Sequence, residues 1–193
     1  GLLAVGFAVV SDVIVTLQAM SAPPGVEFWS QLGVIAFVGA LIAVLGVADI
    51  AVRKVIPAMQ ATPLCPVVAI ASRSAGKAAD AARRLGIADA HGSYESLLAS
   101  DAVDAVYIPL PNHLHHEWTL AAADAGKHVL CEKPLALTSA DARRMIEHCE
   151  RSGVALMEAF MYRLHPLWTT LRSLVTAGRI GEPRAIQTVF SYY

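Results

Sequence analysis

Between Leu41 and Glu158, short apolar runs alternate with Ala-rich stretches of helical length, and this alternation constrains the fold more than any other feature. Leu41–Leu45 precedes a helical stretch from Asp49 to Ala61, and Val67–Ala71 precedes another from Ala75 to Leu85. A short helix at Tyr94–Ala99 leads to the run Val103–Ile108, which is followed by the helical stretch Leu114–Ala125. Lys127–Leu130, closed by Pro134, leads to a helix that Thr138 or Ser139 can cap and that runs to about Arg151; Val154–Glu158 is the next strand. Three of these helices stop at a glycine, Gly86, Gly126 or Gly153, the residue that enters the left-handed conformation without a Cβ penalty. Strands joined through helices by short connections run parallel, with right-handed crossovers that cover both faces of the sheet. The expected class is α/β, a parallel sheet with helices on both faces.

Composition bounds the function. A chain of 193 residues can bury one substantial core. Its 15 basic and 16 acidic side chains give a net charge of −1, without the basic excess that nucleic acid requires of a partner. Cys65, Cys131 and Cys149 are far apart and form no CxxC pair, which disfavours a zinc site and a disulfide scaffold and points to a reducing, cytoplasmic compartment.

The first quarter is different. Residues 1–52 contain no Lys or Arg, and Leu32–Ala48 is an uncharged run of 17 residues, at the short end of membrane-span length. No basic region precedes it, as a secretory signal would need. Residues 1–39 have three readings, an upstream extension of the reading frame, one or two membrane helices, or an apolar lead-in, and the first is favoured. Leu41–Leu45 belongs either to a membrane helix or to the sheet, and the sheet is favoured, so membrane association is not expected.

The turn after the first strand is the first site candidate. Gly46-x-Ala48-x-x-Ala51 follows the pattern of a dinucleotide fingerprint. The first position makes the tight turn, the second lets backbone approach a pyrophosphate, and the third lets helix and strand pack closely. Ala48 stands at the second position and crowds the approach by one methyl. The backbone of Asp49 and Ile50 opens the helix, whose amides would face the phosphates. A plain strand–turn–helix fits this stretch alone about as well.

At the end of the second strand, an acidic residue would select NAD by binding the ribose hydroxyls. The chain has Ala71-Ser72-Arg73-Ser74, with Lys77 one turn on. Arg73 can pair with a 2′-phosphate, and Ser72 and Lys77 add donors, so NADP is favoured and NAD remains open. A solvated strand-end arginine is the bland alternative.

Cys131-Glu132-Lys133-Pro134 stands at the carboxyl end of a strand, the edge where open α/β sheets bind ligands. Glu132 and Lys133 point to opposite faces unless the chain bends, so a mutual ion pair is not expected. A lysine at this rim can polarise a substrate oxygen or relay a proton. His113 and His116 face away from His115, so a metal cluster is not expected, and Cys131 has no base assigned to make it a nucleophile.

Taken together, these pieces resemble the Gfo/Idh/MocA oxidoreductase family. The residues are Gly46-x-Ala48-x-x-Ala51, then Pro109-Leu-Pro-Asn112-His-Leu-His115, then Glu132-Lys133-Pro134, in the family's order and spacing. Met157-Glu-Ala-Phe-Met-Tyr-Arg-Leu-His-Pro166 resembles the branch of NADP-dependent D-xylose dehydrogenases and dimeric dihydrodiol dehydrogenases, and Gly181-Glu-Pro-Arg184 is similar to the passage into a second domain. The resemblance covers about residues 41–193.

It implies a Rossmann-type domain over residues 40–160. Residues 161–193 would then be a linker helix and the first strand of a C-terminal α/β substrate domain, truncated by the chain end. The matched roles would make Lys133 catalytic and place Glu132 and Arg163 beside the nicotinamide, with Pro109 or Pro111 through Asn112 and His115 lining the cofactor channel. The family's second catalytic group lies in a motif this chain lacks, so a fragment is expected, with an apolar surface near residues 185–193. The implied activity is NADP-preferring hydride transfer to or from a sugar or cyclic polyol, in a protein that forms homo-oligomers when complete. The alternatives are a dinucleotide-binding module without catalysis and a membrane-tethered protein using residues 1–48.

Overall fold

The computed structural model describes residues 40–189 and 191. Six strands form one sheet: β1 (Ile42–Leu45), β2 (Val67–Ala71), β3 (Asp89–His91), β4 (Ala105–Ile108), β5 (His128–Cys131) and β6 (Leu156–Glu158). Their order is β3-β2-β1-β4-β5-β6, and every neighbouring pair is parallel.

Helix α1 runs as a wide π-turn over Ala51–Val55 and continues as α-helix over Ile56–Gln60. The other helices are α2 (Ala75–Leu85), α3 (Tyr94–Leu98), α4 (His115–Asp124), α5 (Ser139–Arg151) and α6 (Pro166–Thr176). The plain helix expected over Asp49–Ala61 is therefore modified. Pro57 offers no N–H and crowds the turn before it, and the helix widens there, with the Ile56 N–H reaching back to the Ala51 carbonyl. Ser74, Ser93 and Thr138 cap α2, α3 and α5 by accepting N–H bonds from Lys77, Ser96 and Asp141.

Alternate residues of the central strands feed two cores. Ala43, Leu45, Val106, Ile108, Val129 and Cys131 pack with Tyr94, Leu97, Ala122 and Met145 from α3, α4 and α5. Ile42, Val44, Ala105 and Tyr107 pack on the other face with Ala51, Ile56, Ala81 and Ala82 from α1 and α2. This is the period of two of a strand buried on both sides, and it produces the sheet covered by helices on both faces.

β1 lies between β2 and β4 and is wholly buried, so Ile42–Leu45 belongs to the sheet and not to a membrane helix. No helix among the described residues is long and apolar enough to cross a membrane. The readings of residues 1–39 lie outside the described residues. Sequence periodicity missed β3, a three-residue edge strand with two exposed positions and no apolar alternation. Residues 182–189 have no regular secondary structure, and the strand expected to run to the chain end lies partly outside the described residues. α6 buries none of its described side chains, and Leu167, Trp168 and Leu171 on it and Ile186 and Val189 beyond it are exposed.

Candidate active site

The strand order reverses between β1 and β4. The helix after β1 packs on one face and the helix after β4 on the other, which opens a crevice outside the carboxyl ends of these two strands.

Gly46 makes the turn out of β1 with φ +116°, and its N–H donates to the Ala71 carbonyl at 2.9 Å. The positive φ favours glycine, and a methyl group here would lie 2.8 Å from Leu110 Cδ2 in the loop after β4, so that side chain would have to shift. Val47 and Ala48 are half-buried, whereas Asp49 and Ile50 are exposed at the rim. Asp49 and Ile50 open the helix ahead of the π-turn, and the Val52 N–H bonds the Ala48 carbonyl at 3.0 Å, so the N-terminal turn of the helix stands at the crevice, as anion binding requires. The Asp49 carboxylate pairs with Arg53 at 2.6 Å, which limits its repulsion of a phosphate. Ala51 is 0% exposed in the core between α1 and the sheet, where a larger side chain would push the helix away. These features fit the pyrophosphate of a dinucleotide: a glycine turn with positive φ, a helix N-terminal turn at the crevice and a small residue at the helix crossing.

Arg73, just beyond β2, is exposed and makes no hydrogen bond or ion pair among the described residues. Ser72 is buried and accepts the Ser74 N–H at 3.3 Å, so it shapes the turn around Arg73 more than it meets a ligand. Lys77 is exposed on the first turn of α2.

The loop after β4 places Pro109 and Leu110 in the interior and Asn112 at the surface, where it opens a 3-10 turn. His115, expected along the cofactor channel, is instead 0% exposed. Its Nδ1 lies 2.8 Å from the Pro134 carbonyl oxygen and its Nε2 2.8 Å from that of Leu110, so the ring is enclosed between two backbone carbonyls and does not face the crevice.

Glu132 and Lys133 follow β5. Glu132 Oε1 accepts the Tyr107 hydroxyl at 2.7 Å, and its Oε2 accepts the Lys133 backbone N–H at 3.2 Å. The Lys133 side chain is exposed and makes no ion pair with Glu132. The Lys133–Pro134 bond is cis. Glu158, at the end of β6, accepts the Leu135 N–H at 2.8 Å. Arg163 lies five residues past β6 in a short 3-10 turn and is exposed.

Tyr107 and Glu158 were not foreseen. Tyr107 reads as a core residue of an apolar strand. Glu158 carried a usable signal, a carboxylate at the carboxyl end of a strand that the order places beside β5. Burial pushes the Tyr107 phenol well above the ordinary tyrosine range, and the adjoining Glu132 carboxylate pushes it further. Burial likewise raises the Cys131 thiol to about 12, leaving it inert as a nucleophile at neutral pH.

A sheet wound in this order, with a glycine turn at its switch point, defines a nucleotide-binding α/β protein, and the lysine at the same edge suits redox chemistry at a carbonyl or alcohol. The chain belongs to the Gfo/Idh/MocA oxidoreductase family, whose NAD-binding Rossmann fold matches residues 40–160.

Among its relatives, D-xylose 1-dehydrogenase (NADP(+)) 2 of Haloferax volcanii is 50% identical over 152 residues, 79% of this chain and 46% of that protein. Trans-1,2-dihydrobenzene-1,2-diol dehydrogenase of Xenopus laevis is 38% identical over 124 residues, 64% of this chain and 38% of that protein. A crystal structure of the 3-ketoreductase KijD10 from Actinomadura kijaniata in complex with NADP superposes with a TM-score of 0.67. It is 43% identical, over 74% of this chain and 45% of that one. The chain thus spans less than half the length of these relatives.

Proposed function

We propose that the crevice binds NADP(H) and that the protein transfers hydride between this cofactor and a sugar or cyclic polyol. The observation that carries the reading is Lys133, an exposed ammonium without a partner among the described residues, at the same sheet edge as the Gly46 turn.

The N-terminal turn of α1 holds the pyrophosphate, and Arg73 pairs with the 2′-phosphate. The nicotinamide, when bound, supplies the hydride acceptor or donor. Lys133 donates a hydrogen bond to the substrate oxygen and stabilises negative charge that develops there. Glu132, held by Tyr107, keeps the Lys133 backbone N–H in place. Relatives named for xylose and dihydrodiol oxidation and for 3-ketoreduction support the substrate class.

The test is titration of the chain with NADPH and NADH, followed by nucleotide fluorescence. The reading requires tighter binding of NADPH, and absence of binding by both overturns it. In the native protein that carries this sequence, Lys133→Ala removes most NADP-dependent oxidation of D-xylose or a dihydrodiol while changing NADPH affinity by less than about threefold. If wild type itself oxidises neither substrate class nor reduces the matching ketones, a binding module without catalysis is the better account.

A further inference from the structure

We propose that His115 and Glu158 are positioning residues that grip a single peptide unit, Pro134–Leu135, and thereby set the direction of Lys133. The proposal rests on the role given to Lys133 above, but its geometry stands independently of that role.

The carbonyl and the N–H of a trans peptide point in opposite directions. His115 Nδ1 meets the carbonyl of this unit at 2.8 Å, and Glu158 Oε1 accepts its N–H at 2.8 Å. The two side chains come from either side of β5. His115 opens α4, the helix after β4, and Glu158 closes β6. Rotation of the unit about its long axis breaks the Glu158 bond and moves the carbonyl off the His115 ring.

The constraint passes directly to Lys133. The proline ring fixes φ of Pro134, so ψ of Pro134 is the one soft dihedral left between the held plane and the plane before it. On the other side, the Lys133 N–H is held by Glu132 Oε2 at 3.2 Å. The backbone around the lysine is thus fastened at both ends while its ammonium stays free.

His115 carries the arrangement further. Its Nε2 lies 2.8 Å from the carbonyl of Leu110, whose side chain packs over Gly46. One buried ring therefore joins the turn proposed to receive the pyrophosphate to the loop that carries the lysine. This gives His115 a purpose in the crevice that needs no contact with the cofactor.

The chain has four lysines, Lys54, Lys77, Lys127 and Lys133, few enough for each to be followed by NMR after reductive methylation with carbon-13 formaldehyde, with Lys133→Arg assigning its signal. Glu158→Leu removes the acceptor, whereas Glu158→Gln keeps an oxygen in the same place. In folded Glu158→Leu the Lys133 signal is expected to shift from its wild-type position, because the backbone that carries the exposed ammonium moves. Exchange of the Leu135 amide is expected to quicken by about tenfold or more. Lys54 and Lys77 stay unchanged, and Glu158→Gln recovers most of both effects. His115→Leu produces the same Lys133 shift from the other side; should it not fold, the Glu158 pair decides alone. An unmoved Lys133 signal and unchanged Leu135 exchange in folded Glu158→Leu overturn the proposal. Failure of the cofactor reading shows separately, as a wild-type Lys133 signal that does not respond to NADPH.

Discussion

Tyr107 donates its hydroxyl to Glu132 Oε1 at 2.7 Å. The two residues meet because Tyr107 pairs with Leu130 across β4 and β5, and Glu132 stands two residues beyond Leu130 on the same face of the sheet. A buried phenol is satisfied and a carboxylate is fixed at the rim in one contact. The bond also ties the proposed Lys133 loop to the core, since the other oxygen of Glu132 accepts the Lys133 N–H.

This contact makes stability fall at high pH. Tyr107 titrates well above its ordinary value of 10.0 because of burial first and Glu132 second. Below that value folded and unfolded states both keep the proton. Above it the unfolded chain ionises while the folded one does not, so stability is full below about pH 10 and declines as pH rises. Urea denaturation is expected to show a shallower alkaline decline for Tyr107→Phe, together with a loss of about 1–2 kcal/mol at neutral pH. Parallel curves for the two proteins would remove the Tyr107 assignment.

Gly46→Ala is expected to destabilise the fold by about 1–3 kcal/mol, because an L-residue is strained at φ +116° and its methyl meets Leu110. Adding Leu110→Ala relieves the contact but not the backbone, so the double variant stays less stable than Leu110→Ala alone. Chemical denaturation of the four proteins measures this, and full additivity of a harmless Gly46→Ala would show that the turn tolerates a side chain.

Arg73→Asp is expected to weaken NADPH binding by about tenfold or more, the worth of one charge-assisted hydrogen bond. NADH, without the 2′-phosphate, should change far less. Dissociation constants for both nucleotides on both proteins give the ratio, and an unchanged ratio would take Arg73 out of cofactor selection.

The thiols should separate by reactivity. Burial raises Cys131 to about 12 and Cys149 to about 11, so at about pH 8 no more than roughly one in a thousand of either is thiolate. Cys65 is also raised by burial but is only half-buried. A disulfide reagent should titrate Cys65 first in the folded chain and all three in denaturant. Rapid reaction of Cys131 under native conditions would contradict its placement.

Sequence periodicity carried most of the fold. β-branched runs of strand length, Ala-rich runs of helix length and glycines at their ends act locally, through backbone conformation and the burial of alternating side chains, so they are visible without a partner. β3 escaped because an exposed three-residue edge strand exists only through its ladder to β2. The π-turn in α1 escaped because Pro57 left its consequence, a widened turn before it, to be settled by packing.

The sequence by itself determined the order of the elements, the glycine turn at Gly46 and the place of Arg73 and Lys133 at strand ends. Each of these follows from the residue and its immediate neighbours. Only the tertiary structure decided that His115 faces inward to the carbonyls of Leu110 and Pro134, that Tyr107 takes Glu132, and that Glu158 takes the Leu135 N–H. These pairs are 5 to 25 residues apart in the chain. Apart from the local His115–Leu110 contact, they meet because β5 is inserted between β4 and β6, and the polar groups buried by that insertion must find partners across strands.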